Sequence, residues 1–172
     1  MLFRSCSNRF DRFGKIDILV NNAGIGRFGS VADFEVCQFN ELMAVNLRGT
    51  FLCCRQALKL MIPQKNGYII NISSVVGIKG YPNQAAYTAS KHGIMGFTKS
   101  LAVEAQEHNI RVSAILPGGV DTELLRMARD DIETSTMMHP DDIAHAVIFL
   151  LSLSERAAID QIYIRRNSSS PF

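Results

Sequence analysis

The stretch Ile16-Asp17-Ile18-Leu19-Val20-Asn21-Asn22-Ala23-Gly24 decides the fold. A short β-branched run ends abruptly on two asparagines and a glycine, and Gly26 and Gly29 follow in the next loop. A brief apolar run bounded by turn residues is the mark of a strand covered on both faces. Working outward, the same pattern returns at Tyr68–Ile72, which runs into Ser73-Ser74, at Ile110–Leu116, closed by Pro117-Gly118-Gly119, and at Ile159–Ile164. Between these runs the apolar spacing becomes helical. One helix is expected from Asp33 to Met61, broken near Arg48-Gly49 and ended by Pro63 and the turn Gln64-Lys65-Asn66-Gly67. A second runs from Gln84 to His108 and a third from Asp141 to Leu153. Residues 2–13 also read as helix, stopped by Gly14.

Strands alternating with helices predict an α/β fold, a doubly wound parallel sheet of the Rossmann type with about four strands. Open sheets of this kind place ligands beyond the C-terminal ends of their strands. Asn21–Gly24, Ser73-Ser74 and Pro117–Thr122 all fall there, so they are expected to meet on one edge. With 172 residues and neither an internal repeat nor a linker, residues 1–172 read as a single domain. A Ser-rich tail over 167–172 is expected to fray.

Composition narrows the function. The chain is 47% hydrophobic and 20% charged, and 18 Lys+Arg against 16 Asp+Glu leave a net charge of +2. That balance gives no case for nucleic acid or an anionic membrane surface. The longest wholly apolar run, Ala146–Leu151, is far short of the about 20 residues a helix needs to span a bilayer. No secretory signal follows Met1, and a cytoplasmic protein is expected. Cys6, Cys37, Cys53 and Cys54 have no metal-ligand spacing with the histidines and read as buried reduced thiols. No metal site is expected.

Tyr87 and Lys91 lie four apart in the second helix, hence on one face. A nearby ammonium favours a phenolate and would bring a tyrosine into range for acid/base work. Ser74 closes a strand thirteen residues before Tyr87. By itself each is an ordinary helical face or strand-end serine; the combination is what carries meaning. His92, beside Lys91, reads as a surface residue. Met127, Met137 and Met138 read as a mobile lid or as core.

The stretches I-D-I-L-V-N-N-A-G, M-A-V-N-L-R-G-T-F, I-I-N-I-S-S-V-V-G, Y-T-A-S-K and A-I-L-P-G-G-V-D-T together resemble the short-chain dehydrogenase/reductase family in order and spacing. The likeness is to the branch of 3-oxoacyl-carrier-protein reductases and related alcohol dehydrogenases. It implies an NAD- or NADP-dependent oxidoreductase that interconverts a ketone or aldehyde and the alcohol. It further implies Tyr87 as the acid/base, Ser74 as the group that orients the carbonyl oxygen, Lys91 as the cation that lowers the tyrosine pKa and binds ribose, and Asn46 as the holder of a water beside Lys91. Asn22, Ala23 and Gly24 would line the cofactor together with Tyr87 and Lys91, and Pro117, Gly118, Val120 and Thr122 would embrace its nicotinamide end. A homo-oligomer through helices 33–61 and 84–108 and a small carbonyl or alcohol substrate also follow from the resemblance.

The match fails at one point. The family's Gly-rich turn, which receives the pyrophosphate at a helix N-terminus, is absent before Asn21. The chain therefore reads as lacking the N-terminal Gly-rich segment. Cofactor affinity is expected to be weakened on the order of a thousandfold, the choice between NAD and NADP is unreadable, and Ile16–Val20 becomes an exposed apolar edge. A catalytically silent remnant, or an oligomer-forming partner subunit, is the alternative reading. The segment Asp121–His139 is the candidate lid, and it names no substrate.

Overall fold

A computed structural model describes residues 14–128 and 133–170. Four strands form one sheet: β1 (Ile18–Asn21), β2 (Gly67–Ile72), β3 (Ile110–Pro117) and β4 (Gln161–Ile164). Their order is β1-β2-β3-β4 and every pairing is parallel. Parallel neighbours require crossovers, and the intervening helices supply them. These are α1 (Val36–Met43), α2 (Gly49–Gln64), α3 (Ala85–Gln106), α4 (Glu123–Ala128) and α5 (Pro140–Ser152). The expected α/β architecture is the one observed. The segment 2–13, expected to be helical, lies outside the described residues.

The two faces of the sheet are filled differently. On one, α2 and α3 close over it with Cys54, Ala57, Met61, Leu101 and Ala105 against Ile69, Ile110 and Val112. On the other, α5 sets Leu150 against Tyr68, Ile70 and Ile115. Burial of both faces explains why β2 and β3 read as continuous apolar runs. β1 stands at the edge: Ile18 is 46% exposed and Val20 40% exposed. The exposed apolar edge expected at Ile16–Val20 is therefore present at Ile18 and Val20.

Three local expectations need correction. The predicted break near Arg48-Gly49 is instead a single π turn, Ala44–Arg48, that joins α1 to α2 without interrupting the helix. α2 runs past Met61 to Gln64 with Pro63 in its last turn, and closes within the expected Gln64–Gly67 turn, where Lys65 enters the left-handed region at φ 51°. Over 167–170 the chain turns back, because the Arg165 guanidinium donates to the carbonyls of Arg166, Asn167 and Ser169. Only Cys54 among the described cysteines is buried; Cys37 is exposed. Among the described residues no helix is long and apolar enough to cross a membrane, and no three His, Cys, Asp or Glu converge as metal ligands.

Candidate active site

The C-terminal ends of β1, β2 and β3 meet the N-terminal half of α3. There they border a cavity of about 810 Å³, within the range of small-molecule sites. Helical periodicity turns Tyr87, Ser90, Lys91, Ile94 and Thr98 inward as one buried stripe. Tyr87 and Lys91 lie one turn apart, with Nζ 5.7 Å from the phenol ring centroid. The Lys91 side chain is only 6% exposed, and its Nζ donates to the Ile72 carbonyl at the end of β2 at 3.2 Å. Phe28 meets the Tyr87 ring at 5.3 Å between centroids and limits its movement from the loop side.

The tandem serines divide their work. Ser73 is buried and its hydroxyl donates to the Lys91 carbonyl at 3.1 Å, tying the end of β2 to α3. Ser74 borders the cavity. Its hydroxyl accepts from Val76 N–H at 3.3 Å and reaches the Pro117 carbonyl at a long 3.4 Å, so a better acceptor could redirect it. Its proximity also acts on the Tyr87 phenol in the direction that lowers its pKa.

Asn46 lies in the π turn and is 0% exposed. Its Oδ1 accepts from Ile25 N–H at 2.8 Å, and its Nδ2 donates to the Ile25 carbonyl at 3.0 Å and to Ser90 Oγ at 3.1 Å. Ser90 in turn donates to the Tyr87 carbonyl at 2.7 Å. Thr50 Oγ1 donates at 2.7 Å to the Asn46 carbonyl within the wider turn. The Asn46 side chain thus joins the glycine loop after β1 to the helix that carries Tyr87.

Gly24 lies directly above this corner. A Cβ there would come within 3.4 Å of Asn46 Oδ1 and 3.6 Å of Lys91 Nζ, so its bareness keeps the lysine head open to the cavity. Of the residues singled out from sequence, Asn22, Gly24, Ser74, Tyr87, Lys91, Pro117, Gly118, Val120 and Thr122 line the one cavity. Ala23 is exposed outside it and Asn46 stands behind it. Ser73, Ser90 and Phe28 were missed. Ser90 could have been found, since it shares the inward face with Tyr87; Phe28 left no sequence signal.

Burial dominates the electrostatics of this corner. It pushes the Tyr87 phenol up to about 12, against a smaller lowering effect of Ser74. Burial likewise pulls the Lys91 ammonium down to about 8. Removing each group from water raises the cost of charging it. At neutral pH the phenol holds its proton, which makes Tyr87 a donor.

A family model described as short chain dehydrogenase matches residues 4–133. The chain belongs to the short-chain dehydrogenase family. It is 39% identical over 155 residues to a 3-oxoacyl-acyl-carrier-protein reductase of Rickettsia bellii (strain RML369-C), covering 86% of this chain and 64% of that protein. It is 40% identical over 146 residues to carbonyl reductase family member 4 of Xenopus laevis, covering 82% and 62%. The chain thus spans less than two thirds of these curated relatives. Among solved structures, levodione reductase superposes with a TM-score of 0.86 at 31% identity, covering 95% of this chain and 70% of that one. A metagenomic short-chain oxidoreductase in complex with NADP gives 0.81 at 32%, covering 98% and 69%. In this short-chain dehydrogenase chain, the Tyr87–Lys91 corner lies at the C-terminal edge of the sheet.

Proposed function

We propose that this site interconverts a ketone or aldehyde and its alcohol with a nicotinamide cofactor, NAD or NADP. The observation that carries the reading is the convergence of the Tyr87 phenol, the Ser74 hydroxyl and the Lys91 ammonium on one cavity, with Asn46 fixing the helix beneath them. The nicotinamide end of such a cofactor fits what is present. Gly24 leaves the Lys91 head uncovered, and the Pro117-Gly118 turn offers a wall without a bulky side chain. NADP is bound in the metagenomic short-chain oxidoreductase named above. When bound, the cofactor supplies or accepts the hydride.

The chain's own residues manage position and proton. In reduction, Tyr87 gives its proton to the carbonyl oxygen as the carbonyl carbon becomes tetrahedral. Ser74 turns its hydroxyl from Pro117 to that oxygen and holds it near the phenol. Lys91, anchored on Ile72 O, faces the phenolate that remains and favours it electrostatically. Its other N–H donors would hold the ribose hydroxyls of the cofactor. Proton return from solvent completes the cycle.

The same reading extends to assembly in the cytoplasm through α1, α2 and α3. Phe51, 47% exposed, stacks edge-on with Phe97 at 5.7 Å beside Met43 and Leu47, an apolar patch suited to a second copy.

The test is a titration with NADPH and NADH followed by nicotinamide fluorescence, since the chain has no tryptophan to report binding. A carbonyl-reduction assay of wild type and Tyr87→Phe accompanies it. Saturable binding with turnover lost in the variant is expected. Full turnover by Tyr87→Phe would overturn the role given to Tyr87.

A further inference from the structure

The cavity wall is charged in one sense only. Lys79, Lys91, Arg165 and Arg166 line it, and among the described residues no Asp or Glu does. Elsewhere in the molecule two arginines meet carboxylates: Arg27 pairs with Glu41 at 3.0 Å, and Arg126 with Asp121 at 2.6 Å. The cations of the cavity are held differently. Arg165 spends one guanidinium nitrogen on three backbone carbonyls of the closing turn and serves as a clasp. Arg166 has only neutral partners among the described residues, Ser169 Oγ at 3.2 Å and the weak acceptor Met137 Sδ at 3.5 Å. Its stem lies on the bare Cα of Gly119, where a Cβ would come within 3.1 Å of its Cδ. Lys79 reaches no carboxylate among the described residues either; its Nζ lies 5.5 Å from the Tyr163 ring centroid.

We propose that the substrate carries a carboxylate, held by Arg166 and Lys79 while its carbonyl lies at Ser74 and Tyr87. This rests on the reading of the cavity as a carbonyl and alcohol site, and it names the substrate class. Among the described residues, this half-buried guanidinium has only replaceable neutral partners, so its charge is open to an arriving anion. A charge-assisted bond to a carboxylate is about twice as strong as the bonds it replaces. The rest of the wall, with Phe28, Leu124, Leu125 and Val147, is apolar and suits a carbon chain between the two polar ends. The planar fork of the Arg166 guanidinium matches the two oxygens of a carboxylate.

The test uses methyl-ketone carboxylates from levulinate upward in chain length, each beside its neutral methyl ester, with dihydroxyacetone phosphate as the phosphoryl arm. Calorimetric binding is measured with and without NADPH, and turnover is measured separately. The carboxylates are expected to bind roughly tenfold or more tightly than their esters, with the preference shrinking as salt is raised. Arg166→Gln and Lys79→Gln should each narrow that ratio and the double variant should erase it, while Arg166→Lys keeps part of it. Equal binding of acid and ester, a preference that survives the double variant, or tighter binding of the phosphate overturns the proposal. A charge preference in binding without turnover of any pair would sink the oxidoreductase reading and leave the anion site standing. Turnover without a charge preference would do the reverse.

Discussion

The two walls of the cavity are built to different standards. The inner wall, from α3, the π turn and the end of β2, is fixed by buried hydrogen bonds that link residues far apart in sequence: Asn46 to Ile25 and Ser90, Ser73 to Lys91, Lys91 to Ile72. The outer wall, from 118–126, 137–140 and 165–170, is held by half-exposed bonds and one isolated bridge between Val120 and Met138. Burial makes each bond of the inner wall costly to lose, because a broken partner stays dry. Water can replace a lost bond in the outer wall. The inner wall is rigid, and the outer wall is open to change.

The harshest way to break this comparison is Tyr87→Phe. It keeps the ring against Phe28 and removes the proton donor, so kcat should fall about 100- to 10,000-fold, with cofactor binding in a fluorescence titration little changed. Retained stability with lost rate would confirm that the inner wall holds the ring by packing.

Lys91 gives the next effect, in pH. Its folded pKa is depressed to about 8 from 10.5, so between those values the unfolded chain holds a proton that the folded chain has released. Stability from this group is therefore present above the unfolded pKa and lost as pH falls through about 8. Thermal melts should show the wild type gaining stability from pH 8 toward 10, approaching about 1.4 kcal/mol per pH unit. Lys91→Met should lack that rise. Tyr87 acts in the opposite sense and higher up: its pKa is raised from 10.0 to about 12, so its contribution is lost as pH climbs through that range. An identical slope in wild type and Lys91→Met would show that the lysine is hydrated.

Asn46→Ala strands the Ile25 amide inside the inner wall, and urea denaturation should report a loss of about 2 kcal/mol.

A matched pair of small substitutions sharpens the contrast most finely. At Gly77 a Cβ would lie 2.6 Å from Ser73 Oγ, 2.9 Å from Met95 Cγ and 3.2 Å from the backbone oxygen of Lys91. Gly77→Ala should cost about 1–3 kcal/mol. At Gly119 the obstacles are Met137 Sδ at 2.8 Å and the Arg166 stem, both flexible ends. Gly119→Ala should change stability by less than about 0.5 kcal/mol and show itself in KM. Equal losses at the two sites would mean the walls are equally stiff.

The sequence by itself determined the sheet and most of the inner wall. Strand and helix follow from local periodicity, and Asn46, Ser74, Tyr87 and Lys91 could be named because their spacing and flanking stretches resemble one family. Local pattern was weaker where a signal has two outcomes. Arg48-Gly49 reads as a break, yet the helix continues through a π turn because Asn46 finds buried partners. Pro63 reads as a terminator, yet the last turn of α2 accommodates it. Tertiary structure alone decided that Ser73 ties β2 to α3, that burial dominates the tyrosine pKa, and that Arg166 and Lys79 share a wall lacking acid among the described residues. Each of these depends on dehydration and on distances between residues remote in the chain, which spacing along a sequence does not encode.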